Sequence, residues 1–189
     1  MPLLASSLMG IILAMPVAPL TLTLPATPVP LTIEEWAPEN GDSVIVDTKE
    51  NMGYLIHPND AFMAFPVVTG QRRNVWYIGR SYNAATPTWR WKIEQLETKG
   101  DRVTFGPEGR FLRLFKDGDG RTAYGFHEHR SEKEMFSEDA EKRFRSMGCI
   151  IVRHDIMDIL VKTYAANGSI DVTTQYGVED VLSAVLARQ

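Results

Sequence analysis

The chain has 189 residues, of which 44% are hydrophobic, and a formal net charge of −4 at neutral pH. A chain of this length can bury one substantial core, so we expect a single domain with an N-terminal appendage. The acidic balance argues against nucleic-acid binding, which requires a basic surface. Cys149 is the only cysteine, so no intramolecular disulfide can form, and a lone thiol in an exported protein is a candidate reactive group.

Residues 1–33 carry no charged side chain. The apolar run at 3–15 predicts an export signal or an N-terminal anchor, although the basic residues that usually precede such a run are missing. Extended to residue 24, the run reaches membrane-spanning length through two prolines, so we consider membrane anchoring through residues 3–24. A buried N-terminal helix is the alternative. Residues 23–30 predict a proline-stiffened linker, and we divide the chain into 1–33 and a domain at 34–189.

Short segments with apolar runs or alternation, several of them bounded by Gly, Pro, Asn or Asp, predict the strands of the domain. They lie at 43–47, 52–57, 61–69, 89–93, 102–105, 111–115 and 123–127.

The C-terminal third predicts helices. Residues 131–145 are charged with few apolar positions and predict a solvated helix or a lid before Cys149. Residues 154–166 have apolar residues at helical spacing and end before Asn167-Gly168, which indicates an amphipathic helix. Residues 178–188 predict a second helix on the same criterion. Many strands before two C-terminal helices indicate a β-rich α+β fold with mixed strands and a lid before Cys149.

Cys149 follows Gly148 on a tight turn that leads into a run of branched apolar residues. Gly148 allows close backbone approach or a positive φ, so the turn is suited to presenting a nucleophile. The alternative is that Cys149 packs as a small buried hydrophobe. An unperturbed thiol has a pKa of about 8.5 and needs a base to react near neutral pH.

Four histidines are candidates for that base. We predict that His57, beside a Pro-Asn turn, lies at the surface and that His154, at the start of a helix, is structural. His127 and His129 alternate on a predicted strand and therefore share one face. Without the cysteine, this His-x-His pattern is typical of a half-exposed strand edge. A second interpretation is a zinc site made by His127, His129 and Cys149. No obvious fourth ligand accompanies them, so we expect no metal and no cofactor.

Three segments of the chain resemble a known family. The segment GFH at 125–127, followed by RSMGC at 145–149, resembles the aliphatic-His-Gly and Ser-His-Gly-Cys elements of the L,D-transpeptidase catalytic domain of the YkuD type. Residues 43–70 resemble the opening strands of that domain, which end in Pro-Val-x-Thr-Gly. Residues 86–93 resemble its Thr-Pro-x-Gly-x-aromatic-x-Ile segment. The similarity runs from about residue 42 to 165 in order.

The chain departs from the family pattern at several positions around these elements. Met147 stands where the family usually has a second His, and Glu128 replaces the Gly after the first His. Trp89 replaces the Gly of the Thr-Pro element. Ile151 stands where Arg or Asn usually occurs, and Arg153 follows two positions later. The insert between the His and the Cys is longer than in many members. These departures affect substrate recognition more than the reacting groups.

The resemblance implies cysteine-dependent acyl transfer on peptidoglycan stem peptides in the cell envelope, that is, the periplasm or cell wall. Cys149 would attack the carbonyl before a terminal D-amino acid and form a thioester. His127 aligns with the base of the family, and His129 is its competitor. Backbone N–H groups around Gly148 and Cys149 would form the oxyanion hole, and Ser146 would shape that loop or orient the imidazole.

The resemblance also implies a binding cleft for the acyl donor. Tyr124 and Thr86 would line it. Met147 stands at the family position of the second His, and Arg153, two positions after Ile151, could share the face of the family's Arg or Asn; both are expected to contribute to substrate recognition. We expect a monomer. A hydrolytic L,D-carboxypeptidase and a non-catalytic wall-binding module on the same fold are the alternatives to a transpeptidase.

Overall fold

The computed structural model describes residues 28–77, 79–117 and 120–178. Its main element is an eight-stranded mixed sheet with the strand order β11-β9-β8-β7-β12-β1-β2-β3. The strands of this sheet are β1 (Ser43–Asp47), β2 (Met52–Ile56), β3 (Phe62–Pro66), β7 (Trp89–Thr98), β8 (Arg110–Lys116), β9 (Gly120–His127), β11 (Ile150–Ile151) and β12 (Ile170–Gln175). The pairs β1–β12 and β9–β11 are parallel, and the other neighbours are antiparallel.

Two small strand pairs and two helices complete the described part of the domain. The strands β4 (Thr69–Gly70) and β10 (Phe144–Ser146) pair in parallel, and β5 (Asn74–Tyr77) and β6 (Arg80–Asn83) form a hairpin. The helices are α1 (Glu132–Met135) and α2 (His154–Asn167), with a 3₁₀ turn at Ala140–Arg143. None of the described helices is long and apolar enough to span a membrane. The predicted β-rich α+β class is confirmed.

The sheet curls until its two ends meet. Just after β3, the Val68 N–H donates to the Ile151 carbonyl at 2.9 Å, and the Ile151 N–H donates to the Val68 carbonyl at 2.8 Å. This antiparallel bridge joins the β3 end of the sheet to β11. It therefore brings β4 and β10 beside the segment that carries Cys149.

Strand β1 illustrates why these residues form a buried sheet. Val44 and Val46 point into the main core, whereas Ile45 points to the other face and packs with Ile56. Successive side chains of a strand face opposite sides, so a run of three branched residues fits a strand that is covered on both faces. The main core lies between the curled sheet and α2.

Helix α2 follows the predicted periodicity. Ile156, Ile159 and Leu160 are buried in the main core. The helix ends where Gly168 adopts a left-handed conformation with φ 73° and donates its N–H to the Tyr164 carbonyl at 2.7 Å. Glycine adopts this conformation without strain, which is why the predicted end of the helix is accurate to one residue.

Several local predictions differ from the structure. Residues 102–105 form a turn rather than a strand, because the Asp101 carboxylate accepts the N–H groups of Val103 and Thr104 and holds the chain in a tight loop. The predicted helix or lid at 131–145 is reduced to α1, the 3₁₀ turn and β10. Strands β5, β6 and β12 were not predicted. The predicted helix at 178–188, the apolar run at 3–15 and most of the linker lie outside the described residues.

His57 is buried, so the prediction that it lies at the surface is wrong. Its side chain is 3% exposed, and its Nδ1 lies 2.6 Å from the Asp42 carboxylate. The imidazole also stacks on the Trp36 ring at a centroid distance of 3.8 Å. The Asp42 carboxylate, fifteen positions earlier, allows the polar ring to be buried.

Asn51 attaches the insert before Cys149 to the sheet. It is buried at the turn between β1 and β2 with φ 55°, and its Nδ2 donates to the Ala140 carbonyl at 2.9 Å. Its Oδ1 accepts from the Thr69 hydroxyl at 2.5 Å. The Arg143 guanidinium reaches the Asn51 carbonyl at 3.1 Å. One buried asparagine thus connects the sheet, β4 and the 3₁₀ turn.

We expect Asn51→Ala to lower the free energy of unfolding by about 2–4 kcal/mol, because the buried Thr69 hydroxyl and the partly buried Ala140 carbonyl lose their side-chain partner and alanine disfavours a positive φ. Urea unfolding followed by circular dichroism measures the effect. Asn59→Ala is the matched control, since Asn59 is exposed and accepts one local bond from Ala61. Equal losses for the two variants would contradict the anchoring role of Asn51.

Candidate functional site

A cleft of about 930 Å³ opens beside Cys149. Strand β9, the loop from β10 to β11, the β5–β6 hairpin and the insert around α1 contribute its walls. The described residues that line it are Tyr77, Arg80, Ser81, Tyr82, Thr104, Phe105, Ala123, Tyr124, His127, His129, Met135, Arg145, Ser146, Met147, Cys149 and Ile151. Six predicted site residues thus meet in one cleft: Cys149, His127, His129, Ser146, Tyr124 and Met147.

Ser146 and Gly148 fix the shape of the loop before the thiol. The Ser146 hydroxyl donates to the Cys149 carbonyl at 2.5 Å and accepts the Gly148 N–H at 3.1 Å. Gly148 has φ 113°, and a Cβ placed on it would lie 2.6 Å from Cε1 of Tyr124. Only glycine satisfies both the backbone conformation and the close approach of this ring. The Gly148 N–H is engaged by Ser146, whereas the Cys149 N–H has no acceptor among the described residues.

The Cys149 thiol is partly exposed to the cleft, and its Sγ donates to the Ala123 carbonyl at 3.7 Å. Burial by the surrounding protein raises the pKa of the thiol to about 11, although the Gly125 backbone and the cations Arg113 and Lys99 oppose this rise. Desolvation disfavours the thiolate, so the resting group is the neutral thiol at neutral pH. None of the four histidines places a ring nitrogen within hydrogen-bond distance of Sγ.

His127 ends β9 and is 3% exposed. Its ring packs against Phe105 at a centroid distance of 5.0 Å and against Phe111 at 6.0 Å. Burial between these rings lowers the pKa of His127 to about 4, against raising contributions from hydrogen bonds to the backbone of Glu128 and of Thr104. That carbonyl lies 2.6 Å from Nδ1, and because it can only accept, Nδ1 carries the proton. The unshared pair of neutral His127 is therefore on Nε2.

His129 has the opposite tautomer. Its Nδ1 accepts the Ser131 N–H at 3.1 Å, so the proton of the neutral ring is on Nε2. His129 is therefore a hydrogen-bond donor at Nε2, whereas His127 is an acceptor there. In each imidazole, the hydrogen-bond partner of Nδ1 decides which nitrogen carries the unshared pair.

Thr86 and Arg153 do not line the cleft. Thr86 is buried behind it, where its hydroxyl accepts the Gly70 N–H at 2.9 Å and thereby holds β4 in place. Arg153 pairs with Asp155 at the start of α2, with Nη2 2.5 Å from Oδ2. Met147 lines the cleft, and its carbonyl accepts the Tyr82 hydroxyl at 3.2 Å.

Glu128, which replaces the family glycine, is buried with its carboxylate on the side of α2. Oε2 accepts from Nε of Arg110 at 3.0 Å, and Oε1 lies 2.5 Å from Nδ1 of His154. The hydrogen bond to Glu128 raises the pKa of His154, against partial burial. His154 therefore has the structural role that its position in the sequence predicts. The same pairing holds Glu128 in place, and the Glu128 carbonyl in turn orients His127.

The sequence did not indicate two groups of residues near the site. Tyr77, Arg80 and Tyr82 come from the polar β5–β6 hairpin, which has no alternation that marks a strand. Arg113 is a buried residue of β8, and its guanidinium donates to the Glu97 carboxylate. A lone arginine in the apolar segment FLRLF is a signal that could have found it, because a buried charge needs a partner.

The zinc interpretation is not supported by the geometry. His127, His129 and Cys149 all line the cleft, but they do not converge as metal ligands. In the described part of the chain, no group of three or more His, Cys, Asp or Glu side chains is arranged to hold a metal ion.

A family model of the L,D-transpeptidase catalytic domain, YkuD, matches residues 41–172. The chain belongs to this family. The match spans the strands from β1 and continues through both cleft histidines, the Cys149 loop and α2. A comparison with curated proteins finds no significant match.

Solved structures have the same fold at low sequence identity. The L,D-transpeptidase from Xylanimonas cellulosilytica matches with a TM-score of 0.51 and 17% identity over 72% of this chain and 61% of that chain. The carbamoyl enzyme of Ldtfm with avibactam matches with a TM-score of 0.50 and 14% identity over 74% of this chain and 51% of that chain. Bd1075 from Bdellovibrio bacteriovorus matches with a TM-score of 0.50 and 13% identity over 79% of this chain and 55% of that chain. The chain thus spans between half and about three fifths of these proteins.

We expect the rate of Cys149 alkylation by iodoacetamide to be low at pH 7 and to rise with pH up to about pH 11, because the thiolate is the reacting form and burial raises the pKa to about 11. Initial rates between pH 6 and 11.5, read by intact-mass spectrometry, give the profile. The same chain in urea is the control, since its only thiol then titrates near 8.5. An apparent pKa below that of the denatured chain would contradict the neutral resting thiol.

Proposed function

We propose that this protein is a cysteine-dependent acyltransferase of the cell envelope that acts on peptidoglycan stem peptides, with Cys149 as nucleophile and His127 as base. The observation that carries the proposal is the shared cleft. In a chain of this family, its single cysteine and a histidine with an unprotonated Nε2 line the same cleft, beside a loop fixed by Ser146 and Gly148.

The opposite tautomers favour His127 over His129 as base. A base needs a lone pair directed at the proton it takes, and the Glu128 carbonyl leaves that pair on Nε2 of His127. Neutral His129 already has a proton on its Nε2. The low pKa of His127 and the high pKa of Cys149 make the resting pair neutral, so the proton moves during attack rather than before it.

In the proposed reaction, Cys149 Sγ attacks the carbonyl that precedes the terminal D-residue, and its proton passes to Nε2 of His127. The Cys149 N–H then stabilises the oxyanion, a contribution of about 3–4 kcal/mol for one such donor. Collapse breaks the amide bond. The leaving amine takes the proton from His127, and a thioester remains on Cys149. An amine of a second stem peptide resolves the thioester with the same histidine as base.

Before the first step, the thiol must rotate. Sγ donates to the Ala123 carbonyl, so a turn about χ1 of Cys149 has to exchange this acceptor for Nε2 of His127. Such rotamer changes are fast relative to typical turnover. A donor peptide in the cleft would also exclude water from the pair and strengthen the electrostatic contact to the oxyanion.

We expect intact-mass spectrometry of the full chain with a tetrapeptide stem to show an acyl adduct and a released D-amino acid. Cys149→Ala should show neither, because the thioester sulfur is gone. Cys149→Ser is the matched control for folding and cleft shape. Free D-amino acid from Cys149→Ala at the wild-type rate would contradict the assignment of the nucleophile.

We expect His127→Ala to slow adduct formation by about 10²–10⁴-fold, the usual contribution of a positioned base. His129→Ala should still form the adduct, because it removes a donor and not the base. Stopped incubations with increasing donor concentration give the rates. The reverse ranking would assign the base to His129.

Addition of an amine acceptor separates the two enzyme classes. A crosslinked product that forms in competition with hydrolysis identifies a transpeptidase, and free acid alone identifies an L,D-carboxypeptidase. A folded full chain that binds the stem without forming the adduct would favour the wall-binding module.

A further inference from the structure

The cleft beside Cys149 contains cationic groups and hydrogen-bond donors but no carboxylate among its described lining residues. Arg80 enters from β6, Arg145 from β10, and His129 from the start of the insert. The chain as a whole has a net charge of −4, so the excess negative charge lies outside this cleft. A cleft with charge opposite to that of the protein concentrates anionic ligands.

The two cleft arginines are available to a ligand. Elsewhere in the structure, Arg110 is neutralised by Glu128 and Arg113 by Glu97. Within the described residues, no acidic side chain forms an ion pair with Arg80 or Arg145. Nη1 of Arg145 donates to the Glu134 carbonyl. This bond holds the guanidinium at the cleft and leaves its other N–H groups available to a ligand.

His129 adds a hydrogen-bond donor to the same cleft. Because its Nδ1 is occupied by the Ser131 N–H, its Nε2–H is free to donate into the cleft. The bond from Ser131 also fixes the tautomer, so the donor does not depend on protonation of the ring. An oxygen ligand that meets His129 must therefore be an acceptor.

We propose that His129, Arg145 and Arg80 form an anion subsite that binds a free carboxylate of the acyl donor. A carboxylate accepts from several donors at once, and a guanidinium matches its two oxygens with parallel N–H groups. This inference names the substrate class of the proposed reaction and rests on that function for the identity of the ligand as an acyl donor. The binding itself does not require the reaction.

The subsite comes largely from the insert. His129 opens the segment between His127 and Cys149, Arg145 closes it, and Glu134 within it supports Arg145. The long insert therefore provides donor recognition, while β9 and the Cys149 loop provide the reacting groups. Met147, where the family usually has a second His, leaves His129 as the second imidazole of the cleft.

Calorimetry with the full chain carrying Cys149→Ala tests the subsite without turnover. Three tetrapeptide stems are compared: one with all carboxylates free, one with an amide at the C-terminus, and one with an amide on the side-chain carboxylate of the third residue. We expect one of the two amides to bind about tenfold or more weakly, because charge-assisted hydrogen bonds are lost. The amide that weakens binding identifies which carboxylate occupies the subsite.

Arg145→Gln and Arg80→Gln in the same background should weaken binding of the free-acid stem by a similar factor and leave binding of the affected amide nearly unchanged. Arg145→Lys should recover part of the loss. Arg90→Gln is the matched control, since Arg90 is exposed on β7 outside the cleft lining.

Three results would overturn the subsite: equal affinity for the acid and both amides, a loss for Arg90→Gln as large as for Arg145→Gln, or no binding of the free-acid stem. Each is independent of adduct formation by the wild-type chain. An adduct without a carboxylate preference refutes the subsite alone. A carboxylate preference without an adduct refutes the proposed reaction alone.

Discussion

The bridge between Val68 and Ile151 is the contact on which the arrangement of the site depends. Two backbone hydrogen bonds, at 2.9 and 2.8 Å, join the chain after β3 to β11 and close the curled sheet. Because β3 and β11 are the two ends of the strand order, no interaction within the sheet would otherwise hold them together. Closure sets β4 beside β10, and β10 leads directly into the Cys149 loop. The position of the thiol relative to β9 is thus a property of the closed sheet.

Burial then determines the chemical state of the site. The phenylalanine rings around His127 and the protein around Cys149 both disfavour charge, so the pair rests as imidazole and thiol. The cations Arg113 and Lys99 oppose the effect on the thiol, but Glu97 neutralises the arginine. In the proposed reaction, this neutral pair becomes reactive only with the acyl donor bound in the cleft. A neutral pair also protects the only thiol from unproductive oxidation, since the thiolate is the form that reacts with oxidants.

Local sequence signals predicted the parts of the fold that depend on neighbours in the chain. Strand β1 was predicted to the residue because a run of three branched apolar residues is bounded by Ser43 and Asp47, and α2 to one residue because Gly168 terminates it. The fold class and the family were confirmed, and the motif residues His127 and Cys149 do line one cleft. Residues 102–105 have strand-forming side chains, but the Asp101 carboxylate overrides that preference.

Features that depend on distant partners could not be predicted. His57 is buried because Asp42 and Trp36 surround it, and neither contact is visible from the neighbouring turn. Thr86 was expected to line the cleft, yet it supports Gly70 from behind, and Arg153 turns to Asp155. The sequence of the β5–β6 hairpin has no alternation of apolar and polar residues, so its contribution to the cleft becomes apparent only from the tertiary structure.

The contact between the N-terminal segment and β3 determines at which residue a fragment of the domain can begin. The Leu31 N–H donates to the Phe62 carbonyl at 2.7 Å, and the Phe62 N–H donates to the Val29 carbonyl at 2.9 Å. These bonds cover the outer edge of β3 at its first residue, although residue 29 lies in the segment predicted as linker and residue 31 directly follows it. A fragment that starts at residue 34 would leave unpaired backbone groups on this edge, and such an edge recruits strands from other molecules. Residues 29 and 31 therefore pair with the backbone groups at the start of this edge.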